Sequence, residues 1–186
     1  MNSLEHIDHV DRESVLSGAP KGPRLFPPGE WLLDEAQTTI VLRLPTLYIK
    51  PFWMTFGIRP GGYAVVDDAG YLQRVEFSVV TASVDTGSLR RDRALRGHRF
   101  LDVEHFPTVD YHGRASTKHI AGEITAKGLT SRVFITARDA TVTSDTTMTY
   151  AVHNTFTRKE LGLSHPTKYF LGSKIEMRMR GNARRA

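Results

Sequence analysis

From residue 39 to residue 180 the chain keeps returning to one rhythm, an apolar side chain at every second position with a polar one between. Ile40, Leu42 and Leu44 alternate with Thr39 and Arg43; Val75, Phe77 and Val79 with Arg74, Glu76 and Ser78; Val109 and Tyr111 with Thr108, Asp110 and His112. Ile120, Ile124 and Ala126 oppose Glu123, Thr125 and Lys127, and Val133, Ile135 and Ala137 oppose Arg132, Thr136 and Arg138. A long run from Thr146 sets Met148, Tyr150, Val152 and Phe156 against Thr147, Thr149, His153 and Thr157; near the end Ile175, Met177 and Met179 oppose Glu176, Arg178 and Arg180. Successive side chains of a strand point to opposite faces, so a period of two means half-buried strands. About eight such strands must dry their apolar faces either by packing two sheets or by closing one sheet on itself. Closure also removes unpaired edges, which favours a barrel.

Turn signals separate the runs: Arg59-Pro60-Gly61-Gly62, Asp67-Asp68-Ala69-Gly70, Lys127-Gly128 and Ser144-Asp145. Their close spacing points to antiparallel hairpins. One segment, 88–97, carries helix signals: Ser88 to cap the start, Leu89, Ala94 and Leu95 as an apolar stripe, Gly97 to end it. The expected class is therefore all-β, a barrel interrupted by one short helix.

With 186 residues the chain has material for one core, and with no cysteine it excludes disulfides, thiolate metal sites and cysteine nucleophiles. No stretch approaches the roughly 20 apolar residues of a membrane-spanning helix. Residues 1–28 combine Glu5, Asp8, Asp11, Arg12 and Glu13 with Gly18, Pro20, Gly22, Pro23, Pro27 and Pro28, without an apolar run or a small-residue cleavage site. They read as a flexible leader, extending to residue 29, and not as a secretory signal, so the expected address is the cytoplasm. The net charge of +5, dominated by arginine, is a mild bias toward anionic partners.

No phosphate-cradling loop, dinucleotide fingerprint, nucleophile elbow or zinc-protease motif occurs. His98, His105, His112 and His119 fall at intervals of seven, but Pro107 and Gly113 break any helix there and odd spacing alternates strand faces, so no metal site is expected. Arg90, Arg91, Arg93, Arg96 and Arg99 around Asp92 either hold an anionic head group or form a solvated helix face in which Asp92 fixes the helix by pairing. Phe77 and Tyr111 sit on the apolar parity of their strands, which argues for core or cavity and against a nucleic-acid surface. The stretch Tyr48-Ile49-Lys50-Pro51-Phe52-Trp53-Met54-Thr55-Phe56 either closes one barrel end as plain core or lines an apolar cavity.

Ser83-Val84-Asp85-Thr86-Gly87, then Arg91-Asp92, Leu95 and Phe100-Leu101-Asp102-Val103-Glu104-His105-Phe106-Pro107, closely resembles the central signature of the YceI-like family of lipid-binding proteins. The segment Ile120-Ala121-Gly122-Glu123-Ile124-Thr125-Ala126-Lys127-Gly128-Leu129-Thr130 is similar to that family's T-G-x-L-T-x-x-G-x-T hairpin. Thr157-Arg158-Lys159-Glu160-Leu161-Gly162-Leu163 and the opening Trp31-Leu32-Leu33-Asp34 fit as well. Residues 30–183 carry the resemblance, leaving 184–186 as a tail. It implies an eight-stranded antiparallel lipocalin-like barrel with one short helix, an elongated apolar interior, no catalysis, no cofactor and a possible homodimer. Residues 50–62 depart from the family's glycine order, and Leu161 replaces its usual phenylalanine.

The expected function is non-enzymatic binding, transport or storage of a polyisoprenoid, quinone or fatty-acyl chain, with no nucleic-acid partner and no stable membrane insertion. Residues of apolar parity, Leu42, Leu44, Phe77, Val79, Tyr111, Ile135, Tyr150, Val152 and Met177, are the expected lining, with Phe52, Trp53, Phe56, Phe100 and Phe106 near the ends and Arg91 matched to the family. Two alternatives stand beside it: a barrel filled by its own side chains, and an enzyme acting on a small apolar substrate through His153 or Tyr150.

Overall fold

The computed structural model describes residues 27–44, 52–115, 120–161 and 174–186; the expected leader, apart from its last residues, and His119 lie outside the described residues. The strands are β1 (Gly29–Leu33), β2 (Thr39–Leu44), β3 (Phe52–Phe56), β4 (Tyr63–Val66), β5 (Leu72–Val80), β6 (Thr108–Ala115), β7 (Ile120–Ala126), β8 (Leu129–Ser144), β9 (Thr147–Thr157) and β10 (Lys174–Arg185). A 3-10 turn at Thr81–Ser83 and one helix, α1 (Leu89–Arg96), separate β5 from β6.

These ten strands form eight staves. β5 to β10 pair in chain order, each antiparallel to the next. β10 then pairs with β2 through Glu176–Arg180 and with β1 through Ala183–Arg185, so β1 and β2 are two parts of one stave. β3 and β4 likewise lie end to end, pairing with β2 and β1, and β4 returns to β5, which closes the ring. An isolated bridge between Ile58 and Val79 continues the seam beyond β4. Eight staves are about the number that leaves an interior which side chains can fill or one small ligand can share.

The expected runs all become strands. The extra elements are β1, β3 and β4, which sequence alternation hides because both faces carry large or apolar groups: Phe52, Trp53, Met54 and Phe56 in β3, Tyr63, Ala64, Val65 and Val66 in β4. All four turn signals lie in turns. α1 occupies the expected segment, but its anchoring differs from a greasy stripe. Leu89 is 84% exposed, Ala94 is exposed, and Ser88 occupies the cap position without a side-chain cap bond. Polar contacts hold the helix instead. Asp92, only 4% exposed, accepts from the Thr86 amide (2.9 Å) and hydroxyl (2.7 Å), and Arg96 donates to the carbonyls of Ala82 and Val84, both at 2.9 Å. Leu95 alone of the stripe packs on the core.

The core is the barrel interior. At one end Trp31, Met148 and Ala183 are almost fully buried and close it, with the Arg185 guanidinium over the Trp31 ring (5.3 Å). The other end, where α1 and residues 97–107 cross, carries the site.

Candidate ligand-binding cavity

The inward parity of each strand supplies the walls. Ile40, Leu42 and Leu44 of β2, Met54 and Phe56 of β3, Phe77 and Val79 of β5, Val109 and Tyr111 of β6, Ile124 and Ala126 of β7, Ile135 of β8, Phe156 of β9, and Ile175 and Met177 of β10 surround a cavity of about 100 Å³. Thr81, Leu101, Phe106, Lys127 and Leu161 form its rim. A second cavity of about 40 Å³ lies toward the closed end, among Leu33, Ala64, Leu72, Val75, Ile120, Met148, Tyr150, Val152 and Met179. Phe77, Tyr111, Ile135 and Met177 touch both spaces and form a waist between them. The Phe77 and Tyr111 rings tilt at 38° with centroids 5.2 Å apart.

Glycine makes room for this arrangement. Gly113 and Gly122 are directly paired across β6 and β7 on the inward parity, and the Tyr111 ring lies over them. A Cβ at Gly122 would stand 2.5 Å from the Tyr111 hydroxyl oxygen and 2.7 Å from Cζ; one at Gly113 would stand 2.7 Å from the same oxygen. Tyr111 therefore rests against the wall and not across the lumen. Tyr150 does the same over Gly181 of β10, where a Cβ would meet its hydroxyl oxygen at 2.7 Å.

The two hydroxyls are electrostatically quiet. The Tyr150 hydroxyl shares a buried 2.8 Å hydrogen bond with Thr38 Oγ1, and burial pushes its pKa up to about 12, slightly offset by that bond. Burial also pushes the Tyr111 hydroxyl upward, and its donation to the Ile120 carbonyl is long at 3.4 Å. Neither ionises near neutral pH, so the wall offers an apolar chain no charge. The Thr81 hydroxyl is already committed to the Phe106 carbonyl (2.8 Å), which leaves Lys127 as the one charged side chain among these lining residues.

Nine of the expected lining residues meet the larger cavity: Leu42, Leu44, Phe56, Phe77, Val79, Phe106, Tyr111, Ile135 and Met177. Tyr150 and Val152 line the smaller one. Trp53 corrects an expectation: it faces outward, 46% exposed, under the Arg43 guanidinium at 5.8 Å, because the inward parity of β3 belongs to Met54 and Phe56. Arg91 is exposed and stands away from the cavity, donating to the Thr86 carbonyl (2.9 Å) and hydroxyl (3.2 Å); Asp92 fixes the helix through Thr86 and not through arginine. Phe100 is absent from both linings and contributes its carbonyl to the rim. The Phe52 side chain lies outside the described residues. His153, the alternative acid or base, takes the outward parity of β9, where Arg178 Nε donates to its Nε2 at 3.0 Å. His105 bonds Asp102 (2.9 Å) and His112 approaches Glu76 (3.5 Å), both at the surface.

Sequence reasoning missed Ile40, Met54, Val109, Phe156 and Ile175, although each shares the parity of a lining residue it named, and it named neither Ile124 nor Ala126 of β7 as lining. It also missed the rim group Leu101, Lys127 and Leu161, which sit in loops and turns where parity no longer applies.

The sequence pattern of the YceI-like domain matches residues 31–183. The chain belongs to the YceI-like family. Solved structures agree in fold. Burkholderia cenocepacia BcnA aligns with a TM-score of 0.67 at 14% identity, covering 81% of this chain and 98% of its own. A polyisoprenoid binding domain from Saccharophagus degradans, implicated in plant cell wall breakdown, aligns at 0.66 with 8% identity over 84% and 98%. The Campylobacter jejuni YCEI protein aligns at 0.56 with 15% identity over 66% and 80%. No functionally curated protein matches the chain. In this YceI-like barrel the waist and the rim are the features that the low identities leave to be read from its own residues.

Proposed function

We propose that this YceI-like protein binds one apolar chain, a polyisoprenoid, quinone tail or fatty-acyl group, inside the barrel, and carries or stores it without chemical change. The observation that carries the reading is the 100 Å³ cavity walled by aliphatic, Met and Phe side chains. Apolar cavities of about 150 Å³ stay dry and admit a benzene ring, so a space of this kind favours the end of a chain over water. Burial contributes about 0.8 kcal/mol per methylene. A handful of carbons above the waist therefore supplies on the order of 4 kcal/mol, and further carbons at the rim add to it. The name of the Saccharophagus degradans domain, polyisoprenoid binding, supports the same ligand class.

Binding without catalysis is favoured because the interior tyrosines are held neutral and His153 faces away from them. The test is native mass spectrometry of protein purified from its own host, with organic extraction of the same sample. One chain-like adduct per protein is expected, released by solvent unchanged. Protein that always emerges bare, and takes up no prenyl or acyl chain on incubation, contradicts the proposal.

A further inference from the structure

Lys127 stands at the first position of the two-residue turn between β7 and β8, with φ of 51°, followed by Gly128 at 72°. Turns with two positive φ values favour Asn, Asp or Gly, and a residue with a Cβ pays roughly 1–2 kcal/mol for the left-handed region. Lysine earns no conformational advantage there; what it brings is its side chain. The stem of Lys127 lines the cavity rim beside Ala126, Leu101 and Phe106. Its ammonium donates to the Phe100 carbonyl at 2.7 Å and reaches the His98 carbonyl at only 3.5 Å.

An ammonium has three donors and a full charge. One donor is well placed, the second is marginal, and among the described residues no carboxylate pairs with the charge. The same segment exposes His98 and Arg99, while its acids are Asp102, which accepts from His105, and exposed Glu104. A cation thus sits at the edge of the apolar cavity, with its stem already in the lining in the manner of a snorkelling lysine.

We propose that Lys127 is the head-group contact of this cavity, so that the preferred occupant is an amphiphile with acidic oxygens, carboxylate or phosphate, at the end of its apolar chain. This rests on the binding function proposed above and narrows it: neutral chains fit the walls, but only an acidic head pairs with the ammonium's charge.

The test compares dodecanoate with 1-dodecanol, one chain with two heads, by tryptophan fluorescence or calorimetric titration at pH 8. A parallel pair, dodecyl phosphate against dodecanol, separates phosphate from carboxylate as the source of the acidic oxygens. Wild-type protein should prefer an acidic head roughly tenfold, the factor that about 1.4 kcal/mol represents. The preference should shrink as salt rises, vanish in Lys127→Met and survive in Lys127→Arg. Thermal unfolding of each variant reports the structural share of the bond to Phe100, which has no reason to alter an acid-over-alcohol ratio. Equal affinity for acid and alcohol in wild type, or a preference unchanged in Lys127→Met, overturns the role of Lys127 and leaves chain binding intact. Binding of neither head overturns chain binding itself.

Discussion

Gly122→Ala tests whether glycine creates the interior space. The added Cβ would lie 2.5–2.7 Å from the Tyr111 ring, about 1 Å inside ordinary contact, and the paired position Gly113 is equally tight, so the ring cannot slide along the wall. It has to swing toward the lumen, where Phe77 already stands 5.2 Å away, centroid to centroid. Overpacking of this kind costs about 1–3 kcal/mol, which for a domain of this size lowers Tm by roughly 2–4 °C per kcal/mol. In the background Tyr111→Leu, the same Gly122→Ala change should be neutral or slightly stabilising, since alanine replaces a flexible glycine in a strand without meeting a ring. Urea unfolding of the four proteins gives the coupling energy, expected above about 1 kcal/mol. A parallel titration with dodecanoate should show weakened binding in Gly122→Ala alone. Additive stabilities, or full stability and unchanged binding in the single variant, would refute the claim that Tyr111 is held against the wall by the glycine pair.

Thr38→Val leaves the buried Tyr150 hydroxyl without its 2.8 Å partner and should cost about 1–3 kcal/mol, whereas Thr38→Val with Tyr150→Phe should be nearly neutral; denaturant unfolding separates the two. Asp92→Ala removes the acceptor of both Thr86 bonds and should speed hydrogen exchange through residues 82–88 before it affects the barrel strands. Hydrogen bonding to Asp102 raises the His105 pKa, with Asp102's charge adding to it. The raised folded value means that this pair's contribution is complete below the ordinary histidine range and is lost as pH rises through the folded pKa; NMR titration should show a value above 6.5 that falls in Asp102→Asn. The raised Tyr150 pKa has the same sign at high pH: stability should fall between pH 10 and about 12 as the unfolded chain gives up the proton first, read by unfolding at stepped pH and by tyrosinate absorbance.

The staves of the barrel were legible because seven runs keep alternation, and their inward parity named seven of the residues that line the larger cavity, Phe56 and Phe106 being expected instead as bulky groups near the barrel ends. Where both faces of a strand are apolar, parity fails. Trp53 looked like lining for that reason and instead covers the outer face beneath Arg43. Alternation alone does not explain why glycine stands at 113, 122 and 181; the reason appears when the rings of Tyr111 and Tyr150 are found over them. α1 looked amphipathic, yet its anchors are the carboxylate of Asp92 and the guanidinium of Arg96 binding loop backbone and Thr86, contacts between residues that no helical period relates. Lys127 fell on the polar side of the β7 alternation, but the left-handed turn redirects its stem to the rim.

The central claim is that the barrel encloses an enterable, dry space. Crystals under xenon pressure measure this directly, since xenon occupies apolar voids without needing a head group. Xenon density among Met54, Phe56, Ile124 and Ile175, lost when Ile124→Phe fills that space, is the predicted result. A barrel that takes up no xenon there, with its own side chains meeting at the centre, would contradict the account.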